Sequence, residues 1–457
     1  MKSIVAISFL SSILLFLTCN AQKVNRSMES ETSTKIKISE TVFIDSVWAA
    51  NKVSFDLHTI NNKQFVAYYN KDRFMTIASR KLDSKKWDKK ILKNQLIWDS
   101  HNYVTMGFDD QGYIHVSGNM HAIPIVYFRS EKPYDIQSLK PVNYMTGKNE
   151  DRATYPEFFN GQDGQLLFTY RNGGSGSGNT YVNKYDTDTK SWKSYTKGGL
   201  FEGKEKETSR SAYYKNVRDE NGVFHYVWMW RWTPMVETCH QLSYATSRDL
   251  LHWENAAGDL LNLPFKPDIK KIIVDNVPSE GGLHNGAYNI MLTSDNKPII
   301  GYIKYDEKGL TQLYLTQFKN GQWFTKQISD WDFRWEFNGS GDKMSIGGRF
   351  DFVSCEEKDV LVIDWKNETG NNGRYIVGLD DFEPTKKEVT IKPKYPKSVF
   401  KKQSNNPKLS VNIEDDKSPN ENIKYILRWE SAPKSHRKNA PAVIPEKPLS
   451  ALYLLHI

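Results

Sequence analysis

The feature that most constrains this chain is a sequence pattern that recurs at intervals of about 40 to 50 residues. Each unit has two short strand-like runs joined by an acidic or Asn-Gly turn, followed by a third run and often a fourth. The fourth runs carry Trp, at Trp87, Trp192, Trp253 and Trp323. One unit of this kind cannot bury both of its faces, so neighbouring units must stack on one another.

Four-strand units of this length predict an all-β fold, the seven-bladed β-propeller. A sixth unit begins near Met344. A seventh would combine residues 425–430 and 451–457 with an early strand near residues 35–44. Pairing strands from both ends of the chain leaves no free sheet edge. Residues 35–457 are therefore predicted to form one propeller domain, with six or eight blades as alternatives.

Two insertions interrupt the repeat, at residues 256–280 and 383–422. Long connections on a repeat scaffold are more often solvated loops, but they can also wall a cleft. Both interpretations stay open for these segments. No helix of consequence is predicted.

The N-terminus has the pattern of a secretory signal peptide over residues 1–21: Lys2 precedes an apolar run, and cleavage is expected after Ala21. A lipoprotein signal that uses Cys19 is the alternative. Residues 22–34 are polar and read as a disordered leader. An exported protein is predicted, periplasmic or secreted, and no later run is long and apolar enough for a transmembrane segment.

The formal net charge is +8, carried by Lys residues spread along the chain. A weakly basic exported protein suits an anionic polysaccharide or oligosaccharide as partner, although a merely solvated surface explains the charge equally well. No nucleic-acid-binding module is recognisable, and a monomer is expected. Two distant cysteines after the leader, Cys239 and Cys355, do not make a disulfide scaffold.

A second notable feature is the stretch at residues 100–121, SHNYVTMGFDDQGYIHVSGNMH. It contains two strand-like runs joined by a DDQG turn, with His101 at its start and His121 at its end. If the two strands pair as a hairpin, both imidazoles come to the same edge of the sheet. Two histidines at one edge predict a functional site.

Other polar residues occupy matching positions in later units. Tyr155 and Tyr213 lie at unit starts, Arg171 ends a strand before a Gly/Ser-rich loop, and His284 lies at a strand end. A lone histidine at a strand end is usually structural, and the Gly/Ser-rich loop is as consistent with a plain turn. Equivalent positions in successive blades face one channel, however, so these residues and His101 are predicted to converge.

The residue types indicate a reaction class. Glycoside hydrolysis usually requires two carboxylic acids at a set separation, and no such acidic pair stands out. Removal of the proton beside a uronic acid carboxylate requires a cation, a base and an acid. Arg, Tyr and His supply these without a cofactor, so the set suits β-elimination.

A metal site is a separate prediction in the fourth unit. His225, Cys239 and His240 lie on two strands that could approach each other. Strand alternation puts Cys239 and His240 on opposite faces, so both could bind one ion only at a strand end or bulge. Two interpretations of these residues stay open. They bind a structural zinc, or Cys239 is a buried thiol and the two imidazoles are hydrogen-bonded within the protein.

The repeat and the two-histidine hairpin resemble the BNR-repeat propellers of carbohydrate-active enzymes. The resemblance is greatest to the propeller ulvan lyases of polysaccharide lyase families 24 and 25, and more distant to the propellers of glycoside hydrolase family 145. It extends over essentially the whole chain after the signal. It implies that His101, His121, Tyr155 and Tyr213 supply acid and base, and that Arg171 neutralises the uronate carboxylate.

The resemblance implies an elimination in which Tyr155, Tyr213 or a histidine removes the C5 proton. His101 or its partner histidine then protonates the oxygen that leaves C4. A glycosidic oxygen makes the enzyme a lyase, and a free 4-hydroxyl makes it an oligosaccharide dehydratase.

The resemblance also implies a structural zinc site in the fourth unit. Substrate-binding residues are expected at His284, Asn285, Arg210 and Arg349. The alternatives are a hydrolase acting on terminal rhamnose linked to glucuronate and a non-catalytic glycan-binding propeller.

Overall fold

Short runs of β-branched and aromatic residues, such as KQFVAYY at Lys63–Tyr69, form strands throughout the chain. The computed structural model describes residues 36–203, 209–267, 269–340, 348–417 and 424–457. These residues belong to one compact unit, Lys35–Ile457. The predicted signal peptide and leader lie outside the described residues. Within the described ranges, no helix has the length and apolar character to cross a membrane.

The strands of the first part of the chain are β1 (Glu40–Trp48), β2 (Asp56–Ile60), β3 (Lys63–Tyr69), β4 (Phe74–Lys81), β5 (Asp88–Gln95), β6 (Val104–Phe108), β7 (Ile114–Gly118), β8 (His121–Ile123), β9 (Tyr127–Ser130), β10 (Leu139–Val142), β11 (Ala153–Asn160), β12 (Leu166–Asn172), β13 (Asn179–Asp186) and β14 (Ser191–Ser194). The remaining strands are β15 (Ser211–Arg218), β16 (Phe224–Arg231), β17 (Cys239–Ser247), β18 (Trp253–Glu254), β19 (Leu260–Leu261), β20 (Ile273–Asp275), β21 (Tyr288–Leu292), β22 (Pro298–Tyr305), β23 (Thr311–Lys319), β24 (Gln322–Gln327), β25 (Gly348–Val353), β26 (Val360–Asn367), β27 (Asn372–Gly378), β28 (Ser410–Asp415), β29 (Tyr425–Ser431) and β30 (Leu449–His456).

The helical elements of the described residues are short 3-10 turns, at Ile136–Ser138, Val236–Thr238, Lys270–Ile272, Lys397–Phe400 and Arg437–Asn439. The predicted all-β class is therefore confirmed.

The strands form seven separate sheets. In chain order the sheets contain β2–β5; β6, β7, β9 and β10; β8 with β11–β14; β15–β20; β21–β24; β25–β27; and β28–β30 with β1. Neighbouring strands within each sheet are antiparallel, because short turns join successive strands. Each sheet corresponds to one predicted repeat unit.

The two ends of the chain share a sheet. β1 pairs with β30, from Glu40 opposite His456 to Trp48 opposite Leu449. The predicted pairing of an early strand with the C-terminal strand is confirmed. The free edge that either strand would expose alone is covered by the other.

Both predicted insertions contain strands, so neither is a loop over its whole length. β28 lies within residues 383–422 and pairs with β29. β19 and β20 lie within residues 256–280 and extend the fourth sheet. Their short lengths and polar flanks hid them in the sequence pattern.

The repeated Trp residues contribute to the cores between sheets. Trp253 is fully buried, and its ring centroid lies 5.1 Å from that of Phe265. Trp192 is also buried, whereas Trp87 and Trp323 are partly buried against neighbouring apolar clusters. The Trp at each unit's outer strand thus fills the space that a single sheet cannot close.

Candidate active site

A cavity of about 1010 Å³ collects residues from most of the sheets. Its walls include residues of β6, β11, β12, β15, β16 and β28, together with the segments just before β2 and β21. Strands of four sheets, and segments that adjoin two further sheets, therefore contribute to one space. The predicted residues that line it are His101, His121, Tyr155, Arg171, Tyr213, His284 and Asn285.

The predicted two-histidine hairpin is present. β6 pairs with β7 in the register Val104 opposite Gly118, which places the two ends of the hairpin side by side. His121 then begins β8, where it pairs with Thr154 of the next sheet. The ring centroids of His101 and His121 lie 4.1 Å apart.

Asp99 holds both imidazoles, and the sequence analysis missed it. Its side chain is fully buried. Oδ1 lies 2.7 Å from Nδ1 of His101, and Oδ2 lies 2.6 Å from Nδ1 of His121. An ionised carboxylate only accepts hydrogen bonds, so both Nδ1 atoms donate to it. The Nε2 atom of each ring is the one left for a substrate.

The electrostatics of this group favour a neutral His101 beside an ionised carboxylate. Burial alone would raise the pKa of Asp99, but the hydrogen bonds from His101 and His121 outweigh it and hold that pKa well below its usual range. Burial lowers the pKa of His101, and the neighbouring His121 adds to this effect against the opposing attraction of Asp99. Neutral His101 therefore has a basic lone pair on Nε2.

Tyr155 lies beside His101 in a strained part of β11. Its backbone φ is 58°, a left-handed conformation that is uncommon for a side chain of this size. The register of β11 against β12 shifts between Thr154 and Glu157, so Tyr155 occupies a β-bulge. The ring centroids of Tyr155 and His101 are 5.7 Å apart. Burial raises the pKa of Tyr155, although the charge of Arg171 opposes this.

Arg171 stacks between two tyrosines. Its guanidinium carbon lies 4.8 Å from the ring centroid of Tyr155 and 5.9 Å from that of Tyr213. The Arg171 side chain is 4% exposed, and its Nε has no hydrogen-bond partner among the described residues. A buried guanidinium with an unused donor is suited to an anionic ligand.

The Gly/Ser-rich loop after Arg171 packs into the site rather than forming a plain turn. Ser175 Oγ lies 2.7 Å from the Tyr213 hydroxyl, and the backbone N–H of Gly178 donates to Ser211 Oγ at 2.8 Å. A Cβ at Gly178 would lie 2.8 Å from Cγ and Cδ of Arg171. Glycine is required there because the loop backbone lies directly on the arginine side chain.

His284 offers a second kind of contact. The backbone N–H of Gly286 donates to Nδ1 of His284 at 2.9 Å, so the ring proton is on Nε2. This Nε2 and Oδ1 of Asn285 are buried without partners among the described residues. Burial, with a further contribution from Arg231, lowers the pKa of His284 to about 3. A neutral donor and an amide acceptor thus face the cavity.

Sequence analysis did not find Arg231, which is 5% exposed and lines the cavity. Its guanidinium carbon lies 5.7 Å from the ring of Tyr213. Arg231 ends β16, directly after the buried run FHYVWMW, and this position at a strand end could have indicated a site residue.

Two predicted substrate-binding arginines lie outside the lining of the cavity. The Arg210 guanidinium is 4.6 Å from the ring of Trp232, which occupies it in a cation-π contact. Arg349 is exposed on β25 between the buried residues Gly348 and Phe350, so strand alternation turns it away from the core. The structure therefore does not bring these two predicted substrate-binding residues to the cavity that His284 and Asn285 line.

The proposed zinc ligands are not brought together. His225 pairs with Thr246 in the ladder of β16 and β17, whereas Cys239 pairs with Arg231 at the other end. Six residues of a strand span about 20 Å. A single ion cannot be bound by His225 and Cys239 together, so these residues do not fit a common zinc site.

His225 instead repeats an arrangement found in an earlier sheet. Its Nδ1 lies 2.6 Å from the hydroxyl of Tyr244, and its Nε2 lies 3.7 Å from Asp219. His115 has the same type of neighbours: Nδ1 lies 2.7 Å from the hydroxyl of Tyr127 and Nε2 3.5 Å from Asp109. The histidine of this turn motif is structural.

His240 is held differently. Its Nδ1 lies 2.9 Å from the carbonyl oxygen of Thr238, and its ring is 5.1 Å from that of Trp232. Cys239 is fully buried, and burial raises the pKa of its thiol to about 12, which disfavours the thiolate that a metal would bind.

A third histidine of the site comes from the C-terminal region. The ring of His436 lies 4.3 Å from that of His101. Burial and the nearby His101 lower the pKa of His436 to about 4. Asp99, His101 and His436 have potential ligand atoms within 4.8 Å of one another, so they could hold a metal ion. The Asp99 carboxylate of this cluster already accepts hydrogen bonds from His101 and His121.

The connection between β29 and β30 places His436. The backbone N–H of Ser435 donates to Oδ1 of Asn51 at 2.8 Å, and its carbonyl accepts from Nδ2 of Asn51 at 2.8 Å and from the N–H of Ser100 at 2.9 Å. Trp98 Nε1 donates to Ser435 Oγ at 2.9 Å. Ser435 is thereby anchored beside the segment that contains Asp99 and His101.

Comparison with known proteins adds to this geometry. Residues 63–331, more than half of the chain, match the family described as "BNR repeat-containing family member". The chain belongs to this family. This BNR-repeat protein is 45% identical over 58 residues to "Ulvan lyase, long isoform" from Alteromonas sp. (strain LOR), which is 12% of this chain and 6% of the relative. It is 38% identical over 74 residues to "Ulvan lyase, short isoform" from the same strain, 15% of this chain and 13% of the relative.

The aligned stretches thus span only a small part of these relatives. Among solved structures, this BNR-repeat protein is similar to "polysaccharide lyase Uly1", with a TM-score of 0.59 and 14% identity, covering 92% of this chain and 99% of that chain. It is also similar to a PL25 ulvan lyase bound to -[GlcA(1-4)Rha3S]-, with a TM-score of 0.51 and 14% identity, covering 86% and 93%. At these identities the similarity concerns the fold.

Proposed function

We propose that this protein is a carbohydrate lyase that eliminates across C4 and C5 of a uronic acid residue in ulvan or its oligosaccharides. The observation that carries the proposal is the buried Arg171, stacked on Tyr155 beside the histidine pair held by Asp99. A cation for the carboxylate, a base and an acid lie next to one another. The names of the similar proteins, ulvan lyases, agree with this chemistry.

In the proposed reaction Arg171 pairs with the uronate carboxylate and stabilises the negative charge that develops as the C5 proton leaves. Neutral His101 takes that proton on Nε2, because its Nδ1 proton is held by Asp99. The Asp99 carboxylate then stabilises the imidazolium, as the buried acid does in other carboxylate-histidine pairs.

The remaining steps break the C4–O bond and return the proton. The C5–H electron pair forms the C4–C5 double bond, the C4–O bond breaks, and the phenolic proton of Tyr155 passes to the departing oxygen. The raised pKa of Tyr155 keeps it protonated for this role. This division reverses the sequence-based expectation that His101 is the acid. Return of the proton from His101 to Tyr155 restores the starting state.

The departing oxygen decides the product. A glycosidic oxygen leaves as a new sugar hydroxyl and the chain is cut. A free 4-hydroxyl at a non-reducing end leaves as water, and the enzyme is then an oligosaccharide dehydratase. Both outcomes give the same unsaturated uronyl group.

We also propose that the seven sheets are the blades of one β-propeller. Support comes from the seven sheets in chain order, the pairing of β1 with β30, and a cavity lined by strands of four sheets and by segments adjoining two more. The signal-like sequence of residues 1–21 supports export of the protein to its polymeric substrate.

The test is incubation with ulvan and with ulvan oligosaccharides while the ultraviolet absorbance of the unsaturated uronyl group is followed. Wild type should produce the absorbance, and His101→Ala and Arg171→Ala should not. Chain shortening with the absorbance identifies a lyase, and the absorbance without shortening identifies a dehydratase. Release of free rhamnose without absorbance, or binding without turnover, would refute elimination.

A further inference from the structure

The connection between β29 and β30 carries a run of basic residues across one side of the cavity. This run, Lys-Ser-His-Arg-Lys at residues 434–438, forms a segment that we name the basic strap. All but Ser435 line the cavity. Ser435 is instead the anchor, through its hydrogen bonds with Asn51, Trp98 and Ser100. The strap is therefore a built wall of the cavity, held in place by Ser435.

The basic strap carries three cations, Lys434, Arg437 and Lys438. No carboxylate of the described residues lies within ion-pair distance of Lys434, Arg437 or Lys438. Arg437 instead donates to the carbonyl oxygen of His121 at 3.5 Å, and Lys438 contacts the carbonyl oxygen of Ser340. Other lysines of the surface, such as Lys193, do pair with an aspartate. Uncompensated positive charge at a cavity wall attracts anions.

Two carboxylates, those of Glu157 and Glu414, also line the cavity. Neither is in ion-pair contact with Lys434, Arg437 or Lys438 within the part of the chain that the structure describes. Cationic side chains outnumber acidic ones in the lining, where the cations are Arg171, Arg231, Lys417, Lys434, Arg437 and Lys438.

The strap and Arg171 lie at opposite ends of a chain of contacts. The ring centroid of His101 lies 4.3 Å from that of His436 in the strap and 5.7 Å from that of Tyr155. The guanidinium carbon of Arg171 in turn lies 4.8 Å from the ring centroid of Tyr155. The proposed acid and base thus separate two positive regions. A glycan whose uronate carboxylate meets Arg171 would place a neighbouring sugar towards the strap.

We propose that Lys434 and Arg437 of the basic strap, with Lys438, form a binding subsite for a second anionic group of the glycan. The chemistry is that of an oxyanion, supplied by a sulfate ester or by a second carboxylate on a neighbouring sugar. Arg can bind either group through two parallel hydrogen bonds, and Lys adds a point charge. This subsite rests on the proposed function, since it assumes that a uronate-containing glycan occupies the cavity.

The experiment compares Lys434→Gln/Arg437→Gln with Lys447→Gln, a control that removes an exposed charge from the same connection outside the cavity lining. Binding of a sulfated uronate-containing oligosaccharide and of its chemically desulfated form is measured by calorimetry in a His101→Asn background, which prevents turnover. Melting temperatures check that each variant is folded. The kcat/KM values of the same variants with His101 intact are measured in parallel.

The double variant should bind the sulfated oligosaccharide about tenfold more weakly, as expected for two partly exposed ion pairs. Selective loss for the sulfated form identifies a sulfate ester, and equal loss for both forms identifies a carboxylate. Wild-type affinity of the double variant for both forms, or the same loss in Lys447→Gln, would overturn the subsite. If the subsite binds as expected but no variant or wild type forms unsaturated product, the proposed function fails and the subsite stands.

Discussion

Oδ2 of Asp99 lies 2.6 Å from Nδ1 of His121, although 22 residues and a complete hairpin separate them in the chain. The other oxygen of the same carboxylate lies 2.7 Å from Nδ1 of His101. One buried acid therefore fixes the tautomer and the position of both rings. The basic lone pair proposed for catalysis depends on it.

Asp99→Asn should lower kcat by roughly 10²- to 10⁴-fold, because the amide can no longer accept from both rings and stabilise the imidazolium. The rate of unsaturated product formation measures this. Asp249→Asn is the matched control, since Asp249 Oδ2 lies 2.7 Å from Nδ1 of His252 at an exposed site outside the cavity lining. An equal loss in both variants would contradict the role of Asp99.

Arg171→Lys should lower kcat/KM by about 10²- to 10³-fold although the charge is kept. The reason is that an ammonium group cannot stack on Tyr155 and Tyr213 while presenting two parallel donors to a carboxylate. Steady-state kinetics with ulvan oligosaccharides test this. Arg349→Lys, a change at an exposed arginine outside the cavity lining, should have wild-type kinetics.

Tyr155→Phe should keep the stacked ring but remove the proton donor to the departing oxygen. We expect kcat to fall by about 10²- to 10⁴-fold with little change in melting temperature. A synthetic uronide whose leaving group at C4 needs no protonation should restore much of the rate. If Tyr155→Phe converts this uronide no faster, relative to wild type, than it converts the natural substrate, Tyr155 is not the acid.

Gly178→Ala should reduce activity by displacing Arg171, because the new Cβ would lie 2.8 Å from Cγ and Cδ of that side chain. The comparison variant is Gly174→Ala in the same loop, whose Cβ would lie 3.2 Å from Ser177 Oγ. Product formation and thermal unfolding of the two variants are measured together. A larger loss of activity in Gly174→Ala would show that loop mobility, not contact with Arg171, matters.

His284 should make the fold sensitive to acid. Its pKa falls from an ordinary 6.5 to about 3 in the folded protein, so the unfolded chain binds the proton more readily. The free energy of unfolding should therefore be unaffected by this group above about pH 6.5 and decrease as the pH falls towards 3. The slope is about 1.4 kcal/mol per pH unit.

Urea unfolding at pH 7 and pH 5 tests this effect. His284→Gln, which cannot titrate, should lose less stability than wild type over that interval. His252→Gln, a change at an exposed histidine, should behave as wild type does. Identical losses in wild type and His284→Gln would contradict the prediction.

The sequence was sufficient for those parts of the site that follow a repeat. His101, His121, Tyr155, Arg171 and Tyr213 lie at strand ends of successive units, and strand periodicity alone indicates that such positions meet. The β1–β30 pairing was predictable for a related reason, since two unpaired strands at the chain ends otherwise expose their edges.

The sequence was insufficient where a side chain's role depends on contacts that strand periodicity does not specify. His225 and His115 share a turn motif whose acid and tyrosine hold the imidazole, but this equivalence emerged only from their contacts. Arg210 was expected to bind substrate, but it lies outside the cavity lining. Its stacking on Trp232 depends on a loop that follows a different strand.

The amino-acid sequence by itself determined the all-β class, the repeat and the pairs of residues carried on hairpin ends, because hydrogen bonding and alternation act over short chain distances. Only the tertiary structure decided that Asp99 bridges two histidines and that His436 joins them from the C-terminal connection. These relationships join segments that are distant in the chain, and packing between sheets sets them.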